Sequence, residues 1–410
     1  MNLFRKKKSK NSSGSAKSKS FLSRFIDIPL LLINFVVVVS LFIANSACWI
    51  TPAKFLIPSY LGLAFPAIML LTILFFIFWI ARRKWYFVIS LTALLVSFNN
   101  VFNTFPLNRD KEIPANAIKV LSYNVHLFDF YTPLAKNKTI DYIADSGADI
   151  VCLQEFGYSS NLKKDYLKKE QILEKLQNKY PYRHIELTQV KKNGSYGMAT
   201  FSKFPILQKA KVEYDSKFNS TIYSDIQIHG KTVRVFNCHL ESNRLTENDK
   251  GLIKNLGEEY KNDRINEVVE HFSQKLGDSF EKRAKQVDII AEEISNTDLP
   301  IILCGDFNEV PVSYAYAKIR GNRLYDAFTK SGRGYGHTFN ERLFWFRIDM
   351  IMHSKELSSY NFRVDRVNYS DHFPIMCYIS LPPAPSSGGG VAKVRSASDE
   401  YIEQNIPNKQ

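Results

Sequence analysis

Three long apolar stretches lie near the beginning of the sequence. They run from Ile28 to Ile50, from Phe55 to Ile80, and from Trp85 to about Phe102. The first two reach the length of about 20 residues that a helix needs to cross a bilayer, and the third is shorter and more polar. The pattern predicts three transmembrane helices within residues 26–104, which would anchor the chain in a lipid bilayer.

The charges around these stretches predict their orientation. Residues 1–25 form a basic tail, and an Arg-Arg-Lys sequence occupies positions 82–84 between the second and third stretches. Cytoplasmic segments carry an excess of Lys and Arg, which places both in the cytoplasm. Three crossings then predict a multi-pass protein of the inner membrane whose remaining chain is periplasmic. If the third stretch, which contains Asn99 and Asn100, only lies in the membrane interface, the remaining chain is cytoplasmic.

After a linker at residues 105–116, short apolar runs mixed with amphipathic segments predict a soluble domain over residues 117–381. We predict helices at Thr139–Ser146, 162–180, Leu245–Lys275 and Phe280–Ile294. We predict strands at Ile118–Asn124, Ile150–Glu155, Met198–Phe201, Ser220–Ile228, Val233–Leu240, Leu299–Asp306, Asp349–Met352 and Asp371–Ile379. This mixture predicts an α/β or α+β sandwich of two sheets flanked by helices, followed by a disordered tail at residues 382–410.

The net charge of +14 would suggest a nucleic-acid partner if it were spread over the whole chain. Residues 1–110 carry thirteen Lys and Arg against Asp27 and Asp110, a net charge of +11, so residues 111–410 carry only +3. The basic excess therefore belongs to the membrane end, and the domain gives no strong argument for a polyanionic partner. The cysteines lack CxxC spacing, which predicts small buried side chains rather than disulfides or a zinc site.

The first indication of chemistry is the stretch Leu299–Pro311. An apolar strand there ends in Gly305 and Asp306, with Asn308 two residues further, so the last two side chains point the same way on an extended backbone. A polar residue at the end of an apolar strand then recurs along the domain. The other examples are Asn124, Glu155, His239, Asp349, Asp371 and His372.

Each of these residues has an ordinary structural explanation when it is taken alone. Glu155 would cap a helix, His239 would be a hydrogen-bonded core histidine, and Asp349 would pair with a neighbouring arginine. Recurrence at so many strand ends instead indicates one polar site. Carboxylates and amides without a set of Cys and His ligands suit a hard cation such as Mg²⁺ or Mn²⁺, which eases the build-up of charge on phosphoryl oxygens. The residues therefore predict metal-dependent attack of water on a phosphate ester.

Six short motifs contain these residues. They are Tyr123-Asn124-Val125, Leu153-Gln154-Glu155, Asn237-Cys238-His239-Leu240, Gly305-Asp306-Phe307-Asn308, Arg347-Ile348-Asp349 and Ser370-Asp371-His372. In kind and order they resemble the endonuclease/exonuclease/phosphatase family, which includes pancreatic-type deoxyribonucleases, abasic-site endonucleases, neutral sphingomyelinases and inositol-phosphate 5-phosphatases. Over residues 117–381 the chain looks like a membrane-anchored bacterial member. The resemblance implies a four-layered α/β sandwich whose site lies where the two sheets open.

The resemblance also implies a metal site. Glu155 would be the principal ligand of Mg²⁺ or Mn²⁺. Asn124 and Asp371 would lie close to the metal or to the substrate phosphate.

It further implies catalytic roles for five residues. Asp306 would position or deprotonate the attacking water, and Asn308 would hold a phosphate oxygen. His372 would act as a general base or as an acid that contacts the phosphate, oriented by Asp349. His239 would donate a hydrogen bond to the phosphate. Whether Asp306 or His372 takes the proton stays open.

Two departures from the family pattern bear on the substrate. Segment 243–280 is longer than a minimal member needs and would form a solvated helix or a lid, and the defining nucleases lack a three-span anchor. We predict hydrolysis of a phosphodiester or phosphomonoester in phospholipid head groups, with an extracytoplasmic nuclease and an inactive binding module as alternatives. Aromatic residues in loops near the site favour lipid, namely Phe128, Phe130, Tyr131, Phe344, Trp345 and Phe346.

Overall fold

The computed structural model describes residues 13–161, 164–243, 249, 262–341 and 345–382. Within these residues the strands are β1 (Ala117–Asn124), β2 (Ile150–Ser159), β3 (Tyr182–Lys191), β4 (Gly194–Ser202), β5 (Ile206–Val212), β6 (Thr221–Ile228), β7 (Lys231–His239), β8 (Ile301–Asp306), β9 (Leu324–Asp326), β10 (Asp349–Ser354), β11 (Ser358–Val364) and β12 (Ile375–Ser380). The helices are α1 (Ser13–Ser46), α2 (Ile57–Leu63), α3 (Phe65–Ala81), α4 (Phe87–Val96), α5 (Phe98–Thr104), α6 (Lys138–Asp145), α7 (Lys169–Gln177), α8 (Asn262–Ser295), α9 (Tyr314–Arg320) and α10 (Ala327–Ser331).

The strands form two six-stranded mixed sheets. Their orders are β11-β12-β1-β2-β4-β3 and β5-β6-β7-β8-β10-β9. Near the middle of each sheet lies a parallel pair, β1 with β2 and β7 with β8, and the other pairs are antiparallel. Within each parallel pair, the carboxyl ends of both strands therefore lie at the same end of the sheet.

Three apolar clusters define four layers. The inter-sheet core contains Val120 of β1, Val235 of β7 and Ile302 of β8. On the outer face of the first sheet, α6 and α7 bury side chains such as Ile143. On the outer face of the second, α8 and α9 bury side chains such as Ile290. The predicted four-layered α/β sandwich is confirmed.

The eight predicted strands correspond to β1, β2, β4, β6, β7, β8, β10 and β12, the interior strands of the two sheets. The four strands that the pattern missed, β3, β5, β9 and β11, are the edge strands. The two predicted helices at 245–275 and 280–294 differ from the structure, where one helix, α8, runs through Asn262–Ser295. Residues 244–248, 250–261 and 383–410, with most of the predicted tail, lie outside the described residues.

The N-terminal helices contain one segment that is long and apolar enough to cross a bilayer by itself, Phe25–Ser46 in α1. The pairs α2–α3 and α4–α5 are bent by 71° and 68°, and each reaches that length only as one broken span. Pro66 in the first turn of α3 and Ser97 before α5 stand at the two bends. The structure thus supplies one qualifying span, and three crossings stay a prediction.

Polar side chains of these helices are paired with one another. Asn45 of α1 donates to Ser97 Oγ at 2.7 Å and accepts from Asn100 Nδ2 at 2.8 Å. At the other end of the helices, Asp27 lies 2.7 Å from Arg82 and 3.1 Å from Lys84. Hydrogen bonds of this kind between helices satisfy polar groups that would be costly in an apolar environment. The polar residues that shorten the third apolar stretch are therefore explained by helix packing.

The N-terminal helices α1 to α5, called the helical region below, pack directly on the domain. Val312, in the loop after β8, is buried in one cluster with Leu41 and Phe65. A Cβ added at Gly62 would lie 2.4 Å from the Val312 carbonyl oxygen, so the two backbones approach closely. Arg347 donates to the Asn103 carbonyl oxygen at 3.1 Å. The loop that follows the Gly-Asp-x-Asn motif is thus fixed by the helical region.

Substitution of Gly305 tests the packing of β7 against β8. A Cβ at Gly305 would lie 2.1 Å from the carbonyl oxygen of Cys238, and this backbone atom has no easy way to move. Gly305→Ala is expected to lower the free energy of unfolding by about 3 kcal/mol. Ile302→Val in the same strand removes one methylene without a clash and should cost about 1 kcal/mol. Thermal unfolding of the solubilised protein compares the two, and equal midpoints would contradict the close approach.

Candidate active site

The positions that face the inter-sheet core change from apolar to polar at one end of the sandwich. In β8, Ile302 and Cys304 lie in this core and Asp306 follows on the same face. In β10, Ile351 lies in the core and Asp349 precedes it on the same face. Side chains alternate along a strand, so both carboxylates point into the space between the sheets.

The register of the strands places the predicted residues side by side. Asp306 pairs with His239 of the parallel strand β7 on one side and with Asp349 of the antiparallel strand β10 on the other. On the facing sheet, Asn124 ends β1 beside Gln154 of β2. The pairing of the central strands therefore gathers the polar ends into one cluster.

Glu155 reaches this cluster through an irregularity in β2. Regular alternation would point Gln154 and Glu155 to opposite faces. The register between β2 and β4 shifts at this place, and Glu155 has a φ of 52°. Gln154 donates to Asn237 of the opposite sheet at 2.7 Å, while the Glu155 carboxylate lies 3.7 Å from His239 Nε2. The bulge thus turns both side chains inward, at a cost of about 1–2 kcal/mol for the left-handed backbone.

Asp306 is at the centre of the contacts in the cluster and has no exposed surface. Its Oδ2 accepts from Asn124 Nδ2 at 3.0 Å, and its Oδ1 accepts from the Asn308 backbone N–H at 2.8 Å. His372 Nε2 and His239 Nε2 lie 3.6 Å and 3.8 Å from Oδ2. These two distances exceed hydrogen-bond length, so both ring nitrogens face the carboxylate across a narrow gap.

His372 is oriented by Asp349. The Nδ1 of His372 lies 2.8 Å from Asp349 Oδ2, which leaves Nε2 directed toward Asp306. The ordinary explanation, in which Asp349 pairs with Arg347, does not hold, because Arg347 lies 2.9 Å from Asp326 instead. A carboxylate on one ring nitrogen fixes the tautomer of a histidine and the position of the other nitrogen.

Asp371 and Asn308 complete the cluster at its more exposed side. The Asp371 side chain is 31% exposed, accepts from Ser370 Oγ at 3.2 Å and lies 3.8 Å from His126 Nδ1. Asn308 has a φ of 50° and donates from Nδ2 to the Leu240 carbonyl oxygen at 3.1 Å. This contact uses one of the two amide hydrogens and leaves the other for a further acceptor.

Two carboxylates of the cluster, Asp306 and Glu155, have raised pKa values. Burial raises the pKa of Asp306, although His372 opposes that shift. Burial also raises the pKa of Glu155, and the negative charge of Asp371 raises it further. A buried carboxylate beside a second negative charge favours a cation nearby.

The two histidines shift in opposite directions. Burial lowers the pKa of His239 and favours its neutral form. Burial alone would also lower the pKa of His372, but Asp349 and Asp306 outweigh it and hold the pKa well above its usual value. The site therefore pairs a protonated imidazole with a neutral one on either side of Asp306.

Comparison with known proteins shows the family of this chain. The model of the Endonuclease/Exonuclease/phosphatase family matches residues 121–372. The chain belongs to this family. A domain of unknown function (DUF8431) matches residues 24–104. No curated protein sequence matches the chain.

Several solved structures are similar to this family member. One is an endonuclease/exonuclease/phosphatase family protein from Leptotrichia buccalis, with 20% identity and a TM-score of 0.47 over 65% of this chain and 100% of that one. Another, from Beutenbergia cavernae, has 17% identity and a TM-score of 0.46 over 66% and 73% of the two chains. A Bacteroides thetaiotaomicron mannosyl-6-phosphatase has 16% identity and a TM-score of 0.43 over 64% and 100%.

In this family member all eight predicted site residues lie at one end of the sandwich, as the contacts above show. Two groups of oxygen and nitrogen atoms there suit a divalent metal. One is the predicted set Asn124, Glu155 and Asp371, whose carboxylates are partly exposed. In the other, ligand atoms of Asp306, Asp349 and His372 lie within 4.8 Å of one another. The first set fits a hard cation better, because its ligand atoms would all be oxygens, whereas the second includes an imidazole nitrogen.

A polar layer beneath the site was not predicted. Gln154 donates to Asn237 across the sheets, and Asn237 in turn donates to the carbonyl oxygens of Leu153 at 3.1 Å and Ala199 at 3.0 Å. The sequence contains a signal for this layer. Gln154 and Asn237 occupy positions that face the inter-sheet core, just before the site residues of their strands, and the alternation along each strand would place apolar side chains there. This layer joins the two sheets immediately below the carboxylates.

The aromatic residues proposed as lipid-facing are distributed differently from the prediction. Phe128 and Phe130 are core residues, 1% and 7% exposed, so their assignment to a lipid-contacting loop is wrong. Tyr131 and Trp345 are exposed by 60% and 65%. Phe344 lies outside the described residues. Loop position alone does not show whether an aromatic ring turns inward.

The Asp349–His372 pair predicts a pH dependence of stability. Because the pKa of His372 is raised on folding, the contribution of the pair is fully present below the unfolded value of about 6.5 and is lost as pH rises through the folded value. Asp349→Asn in metal-free protein should lower stability by about 3 kcal/mol near pH 6, and the difference from wild type should shrink as pH rises.

Thermal unfolding between pH 6 and pH 10 measures this difference. The exposed Asp298→Asn, with the same charge change, should follow the wild-type profile. A constant gap between Asp349→Asn and wild type at all pH values would show that the pair does not hold the pKa of His372.

Proposed function

We propose that this protein is a membrane-anchored, metal-dependent phosphoester hydrolase. The proposal rests on a chain of contacts between the ends of the two sheets. This chain runs Asp349–His372–Asp306–Asn124–Glu155. It places an oriented, protonated imidazole beside a buried carboxylate, with partly exposed carboxylates opposite. Such groups are needed to bind an anionic phosphoester, to orient a water molecule and to move protons.

The residues of this chain divide the reaction between them. Asp306 accepts a hydrogen bond from the attacking water and orients its oxygen toward phosphorus. His239 and Asn308 donate to the non-bridging phosphate oxygens. As the bond from the water oxygen to phosphorus forms, the bond from phosphorus to the leaving oxygen breaks, and the water proton passes to Asp306. The protonated His372 gives one proton to the leaving oxygen, which balances the step.

The metal is assigned to Asn124, Glu155 and Asp371. Mg²⁺ or Mn²⁺ bound there would supply positive charge to the phosphoryl oxygens. The buried His239 Nε2, which has no hydrogen-bond partner among the described residues, faces the same space and suits a phosphate oxygen. A phosphate group therefore has donors on one side and the metal ligands on the other.

Phospholipid head groups are the substrates that the surroundings of the site favour. The loop after Asn308 packs into the helical region through Val312, so the site is held next to the proposed membrane segment. Residues 111–410 carry a net charge of only +3, less than expected for a domain that binds a polyanion along its surface.

A nuclease is the second candidate, and one observation favours it. A cavity of about 350 Å³ that Glu155 and His239 line also has Tyr196 and Phe218 in its wall. The two rings are parallel within 3°, with centroids 6.5 Å apart, and the Lys191 ammonium lies within 6 Å of both. Aromatic faces beside a cation are typical of single-stranded nucleic-acid sites.

Hydrolysis assays on the full-length protein distinguish these substrates. We expect release of product from a phospholipid with Mg²⁺, none with EDTA, and less from plasmid DNA or a soluble phosphomonoester. Glu155→Gln should reduce turnover by more than about a hundredfold, because even partners outside the first coordination sphere commonly cost about 10- to 100-fold.

The exposed Glu292→Gln, which also removes one carboxylate, is the matched control and should retain activity. Calorimetry should show loss of Mg²⁺ binding in Glu155→Gln alone. Turnover that survives EDTA, or that Glu155→Gln leaves intact, would contradict the proposed metal site.

We further propose that the domain is periplasmic and that the helical region crosses the inner membrane three times. Asp27, Arg82 and Lys84 cluster at one end of the helices, and Gly62 and Asn103 contact the domain at the other. From Asp27 to Ser46, α1 rises about 29 Å, which matches the hydrocarbon thickness of about 30 Å.

Reporter fusions test this orientation. Alkaline phosphatase fused after Leu381 should be active, because the enzyme matures only outside the cytoplasm, and the same reporter fused after Lys84 should be silent. An inactive fusion after Leu381, together with an active cytoplasmic reporter at that position, would place the domain in the cytoplasm.

A further inference from the structure

An apolar groove lies between the helical region and the domain. Its volume is about 730 Å³. One wall is the junction of α2 and α3, with Leu63, Ala67 and Leu70, and the other is formed by domain residues such as Tyr335 and Trp345. Sites for small molecules commonly have about 300–1,000 Å³, so the groove is large enough for a substantial part of a ligand.

The groove continues along one face of α3. Leu70, Leu74 and Ile77 are exposed by 55%, 52% and 56% and follow one another at intervals of four and three residues. Residues at this spacing lie on the same side of a helix. In the proposed membrane arrangement this stripe runs from the groove into the hydrocarbon region, where acyl chains are the available ligands.

At its other end the groove meets a more polar cavity. Trp345 lines both, and the second cavity, of about 230 Å³, is also lined by His337, Phe339 and Asn340. The Phe339 ring centroid lies 5.1 Å from that of His372. The two cavities therefore form a path from the apolar face of α3 to the oriented histidine of the site.

We propose that the groove binds an acyl chain of a bilayer phospholipid whose phosphoester enters the active site. The inference rests on the proposed function and narrows its substrate class to an acylated phosphoester that remains in the membrane. Along the path the lining changes from aliphatic to aromatic to polar and ends at Phe339, whose ring contacts His372 of the site. A phospholipid changes in the same order, from acyl chain through ester region to phosphate.

Photocrosslinking tests occupancy of the groove by an acyl chain. The full-length protein is placed in nanodiscs of phosphatidylethanolamine and phosphatidylglycerol, with a small fraction of phosphatidylethanolamine that carries a diazirine in one acyl chain. We expect labelled peptides from the domain wall that contains Tyr335 and Trp345. Ala67→Trp fills the groove and should reduce this label at least fivefold, while Ile80→Trp, on the same helix but outside the groove, should not. Label confined to other faces of the helices, or label that Ala67→Trp leaves unchanged, would overturn the inference.

Hydrolysis provides a second readout that separates this inference from the proposed function. Ala67→Trp should lower kcat/KM at least tenfold for a long-chain phospholipid and leave it unchanged for a water-soluble short-chain lipid with the same head group. An equal loss on both lipids would show a general structural effect and contradict the groove. Label in the groove without hydrolysis of either lipid by wild type would support acyl-chain binding and contradict the proposed function.

Discussion

A carboxylate buried between two sheets, Asp306, is the constraint on which the site depends. Taking a charge out of water costs several kcal/mol unless partners replace the lost hydration. Asn124 and the Asn308 backbone supply hydrogen bonds, and His239 and His372 face the same group. These partners come from both sheets and from two loops. The charge is therefore stabilised only when the sandwich is closed and each strand is in its observed register.

The same constraint links the site to the helical region. Below Asp306, the hydrogen bond between Gln154 and Asn237 joins the sheets, so the polar end of the sandwich is held from beneath. Beyond Asn308, the chain enters the helical region at Val312, where the close approach of Gly62 leaves little freedom for the loop. A change in helix packing is thus expected to shift the position of Asn308, because only a few residues separate Asn308 from the helical region.

Much of this architecture could be predicted from the sequence, and the failures have physical causes. The interior strands are buried on both faces and give strong apolar runs, whereas edge strands such as β3 have half-exposed, polar patterns that look like loops. The eight site residues were predicted from strand ends, because a polar inner position at the end of an apolar strand is unusual. Two features could not be predicted from local pattern. The inward turn of Glu155 depends on a bulge in β2. The partner of Arg347 is Asp326, which is distant in sequence. Four of the five cysteines are buried, as predicted, whereas Cys48 is only half-buried.

Hydrolysis in oxygen-18-labelled water shows whether the water molecule attacks phosphorus, as proposed for this site, or carbon. The wild-type protein is supplied with Mg²⁺ and the phosphoester that it turns over, and mass spectrometry determines which product contains the labelled oxygen. We expect a single labelled oxygen in the phosphate-bearing product and none in the released alcohol. Label in the alcohol would place the attack at carbon and rule out attack of water on phosphorus.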